Sequence, residues 1–178
     1  MNKKFELTTQ YIIWHGKKLY RIKALKSFDD VKVDDLGGFV ESENNLSQNG
    51  NSWIYDDAKV YEKAKIFGNA KVFDNANVFG NAKVYNNAVV YDNVAIYDNI
   101  AVFGNATIYD DATIYDDAIV YDNAAVYGNA TVYNDAVVCD NGVVCEDGVV
   151  CGNDVVYGTI CVTNTLAWIT TVELDSML

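Results

Sequence analysis

The chain has 178 residues, no proline, and 13 Lys and Arg against 25 Asp and Glu, for a formal net charge of −12. This length suffices for one domain-sized unit with a real core, and the negative charge argues against direct binding to nucleic acid, whose phosphates would be repelled. No apolar run is long enough to span a bilayer and no apolar stretch follows Lys3-Lys4, so neither a membrane span nor a signal peptide is expected and the chain reads as cytoplasmic.

Residues 1–51 follow no repeat. Phe5 to Trp14 and Lys18 to Leu25 read as two strands around a turn at His15-Gly16, followed by a loop containing Gly37-Gly38. Stacked parallel strands leave open edges that recruit other chains, so this segment is expected as a small β cap on whatever follows.

From Ala58 to about Val162 six residues recur: Ala, a variable x, Val or Ile, Tyr or Phe, then two of Asp, Gly and Asn. A unit this short cannot bury its own apolar side chains and must stack on copies of itself, as in a solenoid. Side chains alternate along a strand, so Ala and Val share one side, x and Tyr the other. Lys59, Lys65, Lys71 and Lys83 occupy the x slot and cannot be buried unpaired, so Ala and Val point inward. The last two residues are turn chemistry. Three units per triangular coil, stacked at about 4.8 Å, give an all-β, single-stranded parallel β-helix of about six coils over residues 52–163. Residues 164–178 leave the register and carry Leu166, Trp168, Ile169 and Val172, a C-terminal cap or oligomer contact.

The slots resemble the hexapeptide repeats of left-handed parallel β-helices, which implies left-handed coiling; Tyr or Phe after the aliphatic residue departs from that pattern. The stretches Ala24-Leu-Lys-Ser-Phe-Asp-Asp-Val-Lys-Val-Asp-Asp-Leu-Gly-Gly-Phe-Val-Glu, Asn45-Leu-Ser-Gln-Asn-Gly and Trp53-Ile-Tyr-Asp-Asp-Ala are similar to the YdcK-like hexapeptide-repeat family of bacteria and their phages. Some of its members carry an acetyltransferase label by analogy with the fold, and a fold does not carry a function with it.

Acyltransferases of this architecture use a histidine base on a coil, whereas the single histidine here is His15, at the expected hairpin turn, where a solvated role is the simpler reading. Cys139, Cys145 and Cys151 lie six apart, on three diverging faces, so they cannot share a metal ion; with Cys161 they read as free thiols. Calcium-binding β-rolls use a nine-residue repeat, unlike this one. No cofactor or metal is expected.

Charge carries more information. All 13 cations lie at or before Lys83, and 14 acids with no Lys or Arg follow Asn86. Asp92, Asp110, Asp111, Glu146 and Asp147 fall on one corner, and Asp98, Asp116, Asp117 and Asp135 on the next. The 12 acids from Asp92 to Asp154 give about one charge per 1.8 Å of rise, against about 1.7 Å along duplex DNA. Later x positions such as Thr107, Ile119 and Val137 make the outer wall apolar. One wall stacks Ala101, Ile119, Val137 and Val155 beside Phe103, Tyr121, Cys139 and Tyr157 and, with Trp168 of the tail, is the expected surface for a homodimer or trimer.

The expected function is therefore a non-enzymatic acidic β-helix that binds a protein. Its most concrete form is a phage-type inhibitor in a bacterial host that mimics nucleic acid and occupies the basic groove of a defence nuclease such as a CRISPR effector. The alternatives are a trimeric acyltransferase and a structural, self-assembling solenoid.

Overall fold

The structure, a computed structural model, describes residues 3–158 and the strand Cys161–Val162. The expected tail contact, including Trp168, lies outside the described residues. The hairpin is formed by β1 (Phe5–Trp14) and β2 (Lys17–Ala24), and β3 (Leu36–Val40) pairs antiparallel with β2. At the turn, His15 and Gly16 both have positive φ, +46° and +76°, the geometry whose twist suits a two-residue hairpin.

Nineteen two-residue strands follow, from Trp53–Ile54 to Cys161–Val162. Each pairs in parallel with the strand eighteen residues away, as Ala95 does with Thr113, so three strands close one coil and three sheets form the walls. The expected parallel solenoid is what the chain adopts. Its stack begins earlier than the hexapeptide register does. Phe39–Val40, Leu46 and Trp53–Ile54 pair in parallel with Lys59–Val60, Ile66 and Lys71–Val72, so each wall is seven rungs tall rather than about six. The first coil turns through a 3-10 helix, Glu43–Asn45, in place of a repeat corner. Asn45 there is buried, and its Nδ2 donates to the carbonyls of Glu62 and Ala64, satisfying acceptors of the next rung.

The corners explain the turn chemistry. The first residue of every corner from Asp56 to Gly158 lies in the left-handed region, with φ between 49° and 74°. Gly, Asn and Asp reach that region at least cost; only Glu62 and Glu146 depart from that set among these corners. Inside, Ala58 through Ala136 and Val60 through Val138 are fully or almost fully buried, each aliphatic side chain contributing roughly 1.5–3 kcal/mol of transfer free energy.

Lys59 corrects the rule that x residues face water. It is buried: Trp14 of the hairpin lies 4.6 Å from its Nζ, which donates to the Asp57 carbonyl at 2.8 Å, and this burial lowers its pKa. The hairpin sheet is continuous with that wall and folds over it. Its other face joins the solenoid core, where Phe5 and Phe28 meet the ring of Trp53 edge-on at 6.3 and 5.5 Å. Gly37 and Gly38 allow this approach, since a Cβ on Gly38 would stand 2.5 Å from the Ala58 carbonyl oxygen. Gln48 fastens the start of β1, accepting from the Lys4 and Phe5 N–H groups and donating to the Phe5 carbonyl.

Candidate functional site

The eighteen-residue coil aligns the acids into rows along the axis. Asp92, Asp98, Asp110, Asp116 and Glu146 take first corner positions, and Asp111, Asp117, Asp135 and Asp147 second positions. Asp92 and Asp116 are half-buried and the other seven are exposed. The coil length brings Asp116 over Asp98 and Asp135 over Asp117, like charges one rung apart.

Several carboxylates also serve the backbone. The N–H of Asp92 donates to Asp74 Oδ2 at 3.3 Å, that of Asp110 to Asp92 Oδ2 at 3.4 Å, and that of Gly128 to Asp110 Oδ2 at 3.1 Å. These three first-position N–H groups lie outside the strand ladder, and the acid one rung below supplies the acceptor. In second positions, side-chain amides of Asn93, Asn99 and Asn129 donate to Asp111, Asp117 and Asp147 at 3.1, 2.8 and 3.1 Å. These roles were not legible from corner composition alone. They do not dictate charge, however, because Asn86, Asn134, Gly80 and Gly128 hold the same left-handed position.

Asp154 is not a corner acid. The pairing of Val137 with Val155 puts it in the inward slot of Ala136, where it is half-buried. Without it, 11 corner acids from Asp92 to Asp147 occupy three coils. At about 4.8 Å per coil this is about one charge per 1.3 Å, denser than the expected 1.8 Å because that figure spread the acids over too long a rise. Among the described residues every ion pair uses a cation at or before Lys71, so none of these acids is paired.

Residues 106–122 and 124–140, in the middle of this acidic stretch, match the family model of the YdcK β-solenoid repeat. Over these two stretches the repeat is similar to that β-solenoid repeat. No curated protein matches the sequence.

Between its corners the solenoid carries stacked aromatic rows. Tyr61, Phe79, Tyr97, Tyr115 and Tyr133 form one, with centroids 4.9 to 5.3 Å apart. Phe67, Tyr85, Phe103 and Tyr121 form a second, and Tyr91, Tyr109 and Tyr127 stack on the third wall. Burial, followed by the fields of neighbouring acids and rings, raises the pKa of Tyr91, Tyr97, Tyr109 and Tyr115. Tyr121 is pushed up to about 12, first by its hydrogen bond with Cys139 and then by burial.

The wall of Ile119, Val137 and Val155 stacks in the expected register. Stacking hides the faces of the rings against each other, and Ile119, Tyr121, Val137, Val155 and Tyr157 are all half-buried. The large exposed hydrophobics among the described residues are Tyr11, Ile13, Leu25, Val33 and Leu36, all in residues 1–51.

The cysteines require a correction. Cys139 and Cys151 are free, but Cys145 is disulfide-bonded. The six-residue spacing, which sets Cys139, Cys145 and Cys151 on diverging faces, does not bear on that bond. No group of His, Cys, Asp and Glu among the described residues could hold a metal ion, and His15 is exposed with its ring edge-on to Trp14. No helix among the described residues is long and apolar enough to cross a membrane.

A polar cluster at the lower end gave no sequence signal. Asp30 accepts from the Tyr55 hydroxyl at 2.7 Å and from Lys71 at 2.9 Å, and Lys71 also pairs with Asp29 at 2.8 Å. Burial opposes ionisation of Asp30, but these two donors outweigh it and hold its pKa below the ordinary value. The cluster ties the 28–31 loop to the first two rungs.

Proposed function

We propose that this solenoid is a non-enzymatic protein-binding module whose cation-free end presents rows of carboxylates to a basic partner surface. The observation that carries this reading is the combination of rung-spaced, unpaired corner acids with the lack of any Lys or Arg beyond Lys83. Left-handed corners favour Asp, Asn and Gly alike, so backbone geometry accounts for turn residues without accounting for their charge. Lys in the x slot serves the early coils and would relieve repulsion in the later ones. A rigid rod with a charge density somewhat above that of duplex DNA suits the groove of a nucleic-acid enzyme by complementarity. In its narrowest form the partner is a host defence nuclease, such as a CRISPR effector, inhibited by occupation of that groove.

The test is affinity capture from a bacterial lysate with the wild-type chain and with Asp92, Asp110, Asp111, Asp116 and Asp117 changed to Asn. Asn keeps the left-handed tolerance and an acceptor oxygen, so the variant retains the fold. Recovery of a nucleic-acid enzyme by the wild type alone supports the reading. Recovery of nothing, or of the same partners by both proteins, favours a structural solenoid, the reading to which the carboxylate bonds to rung N–H groups lend weight.

A further inference from the structure

The nine-stranded sheet begins at β1, whose outer edge is not covered by another strand among the described residues. Which backbone groups face that edge follows from the hairpin register. A two-residue turn makes Trp14 and Lys17 the closing hydrogen-bonded pair, and antiparallel pairs alternate, so Ile12 and Leu19 bond while Ile13–Lys18 and Tyr11–Tyr20 do not. The N–H and C=O groups of Tyr11 and Ile13 therefore point away from β2, toward the open edge. Their side chains share one face and are 51% and 65% exposed, among the most exposed large hydrophobics described.

Edge strands are normally protected by charge, proline, or bulges. Here an irregularity between Leu7 and Tyr11 interrupts only the first half of β1. Residues 11–14, Tyr-Ile-Ile-Trp, carry no charge, no proline and strong strand formers.

We propose that this edge pairs with β1 of a second copy of the chain, antiparallel about Ile12. Centred there, Tyr11 faces Ile13 of the other copy and Ile13 faces its Tyr11, so all four outward backbone pairs are satisfied by one two-fold register. On the exposed face the cross-strand row becomes Lys18, Ile13, then the partner copy's Tyr11 and Tyr20. Lys18 already lies 4.0 Å from the ring centroid of Tyr11 and 4.9 Å from that of Tyr20. The two Lys18 side chains fall at opposite ends of their rows, three strand spacings apart, about 14 Å.

Charge placement favours a second copy at this end. Residues up to Lys83 hold 13 cations and 11 acids, while the polyanionic coils lie further up the stack. Two copies joined at β1 keep their acidic ends apart. A strand pair of about five residues is a small interface of the weak, transient class, so the dimer is concentration-dependent.

The experiment is sedimentation of the full chain over a dilution series, with Ile13→Lys and Ile13→Pro, and amide hydrogen exchange at low and high concentration. Proline at 13 removes an outward N–H and leaves the bonds between β1 and β2 intact; lysine covers the case in which proline disturbs the hairpin. The expected result is a two-chain mass at high concentration, with exchange at Tyr11 and Ile13 slowing as concentration rises, and a single-chain mass of 19.7 kDa for a folded variant. A wild type that stays single-chain throughout, or a two-chain mass unchanged in Ile13→Lys, overturns the proposal; the latter places the contact elsewhere. Neither result bears on the acidic surface.

Discussion

Lys4 is fully buried, an uncommon state for a lysine. Its Nζ donates to the Ser52 carbonyl at 2.8 Å, with Ser52 Oγ at 3.3 Å, the Gly50 carbonyl at 3.4 Å and the Phe28 ring centroid at 5.2 Å. These partners are neutral, so no opposite charge offsets desolvation of the ammonium, and burial, then repulsion from Lys26, lowers its pKa from 10.5 to about 8. The folded value lies below the unfolded one. Between them the unfolded chain binds more protons, so stability rises with pH from about 8 toward the unfolded value, in contrast to a lysine that gains an acidic partner. At about 1.4 kcal/mol per unit, the full difference is about 3 kcal/mol, of which about 2 kcal/mol develops between about pH 7 and pH 9.5. The perturbation is Lys4→Met, which keeps the buried stem and removes the titrating group. Urea denaturation followed by tryptophan fluorescence reports on Trp53, which packs beside Phe5 and Phe28. The stability of wild type relative to Lys4→Met should grow by about 2 kcal/mol over that range. Tyrosine titration occurs in both proteins and cancels in the difference. A difference that stays flat with pH would show that Lys4 titrates normally and that its burial is not as described.

Gly38→Ala should cost about 1–3 kcal/mol or more in thermal melting, because the new Cβ would meet the Ala58 carbonyl oxygen at 2.5 Å and Ile54 Cγ2 at 2.6 Å with no free space to yield. Asp110→Ala should destabilise by about 1 kcal/mol while Asp110→Asn is nearly neutral, since only the former deprives the Gly128 N–H of its acceptor. Tyrosines such as Tyr97 and Tyr109 have raised folded pKa values, so their contribution is complete below the unfolded value near 10 and is lost as pH rises through the folded values. Ultraviolet titration should show delayed phenolate formation followed by cooperative unfolding; ordinary titration of every tyrosine in the folded protein would contradict the stacked rows.

The solenoid was legible because the spacing is strict: an aliphatic residue stands at every sixth position, and in most units the inward slot before it holds Ala or Gly. Exchanges between Val and Ile, as along the row Val60, Val78, Ile96 and Ile114, keep the slot recognisable. The first coil was hidden because its three rungs, Phe39–Val40, Leu46 and Trp53–Ile54, are separated by irregular turns rather than by repeat corners. Lys59 read as exposed because its cover, Trp14, comes from a hairpin whose docking no local pattern announces. For the candidate site, the sequence placed each acid on its corner and the Gly and Asn there signalled left-handed angles, but the bonds from rung N–H groups to Asp74, Asp92 and Asp110 depend on coordinates.

The most direct measurement of the central claim is displacement of labelled duplex DNA by the purified solenoid from any nucleic-acid enzyme that the capture recovers, over a series of salt concentrations. Wild type should displace the duplex at low salt, with an affinity that falls steeply as salt rises. The variant with Asp92, Asp110, Asp111, Asp116 and Asp117 changed to Asn should bind more weakly and with a shallower salt dependence. Equal displacement and equal salt slopes for the two proteins would contradict an acidic recognition surface.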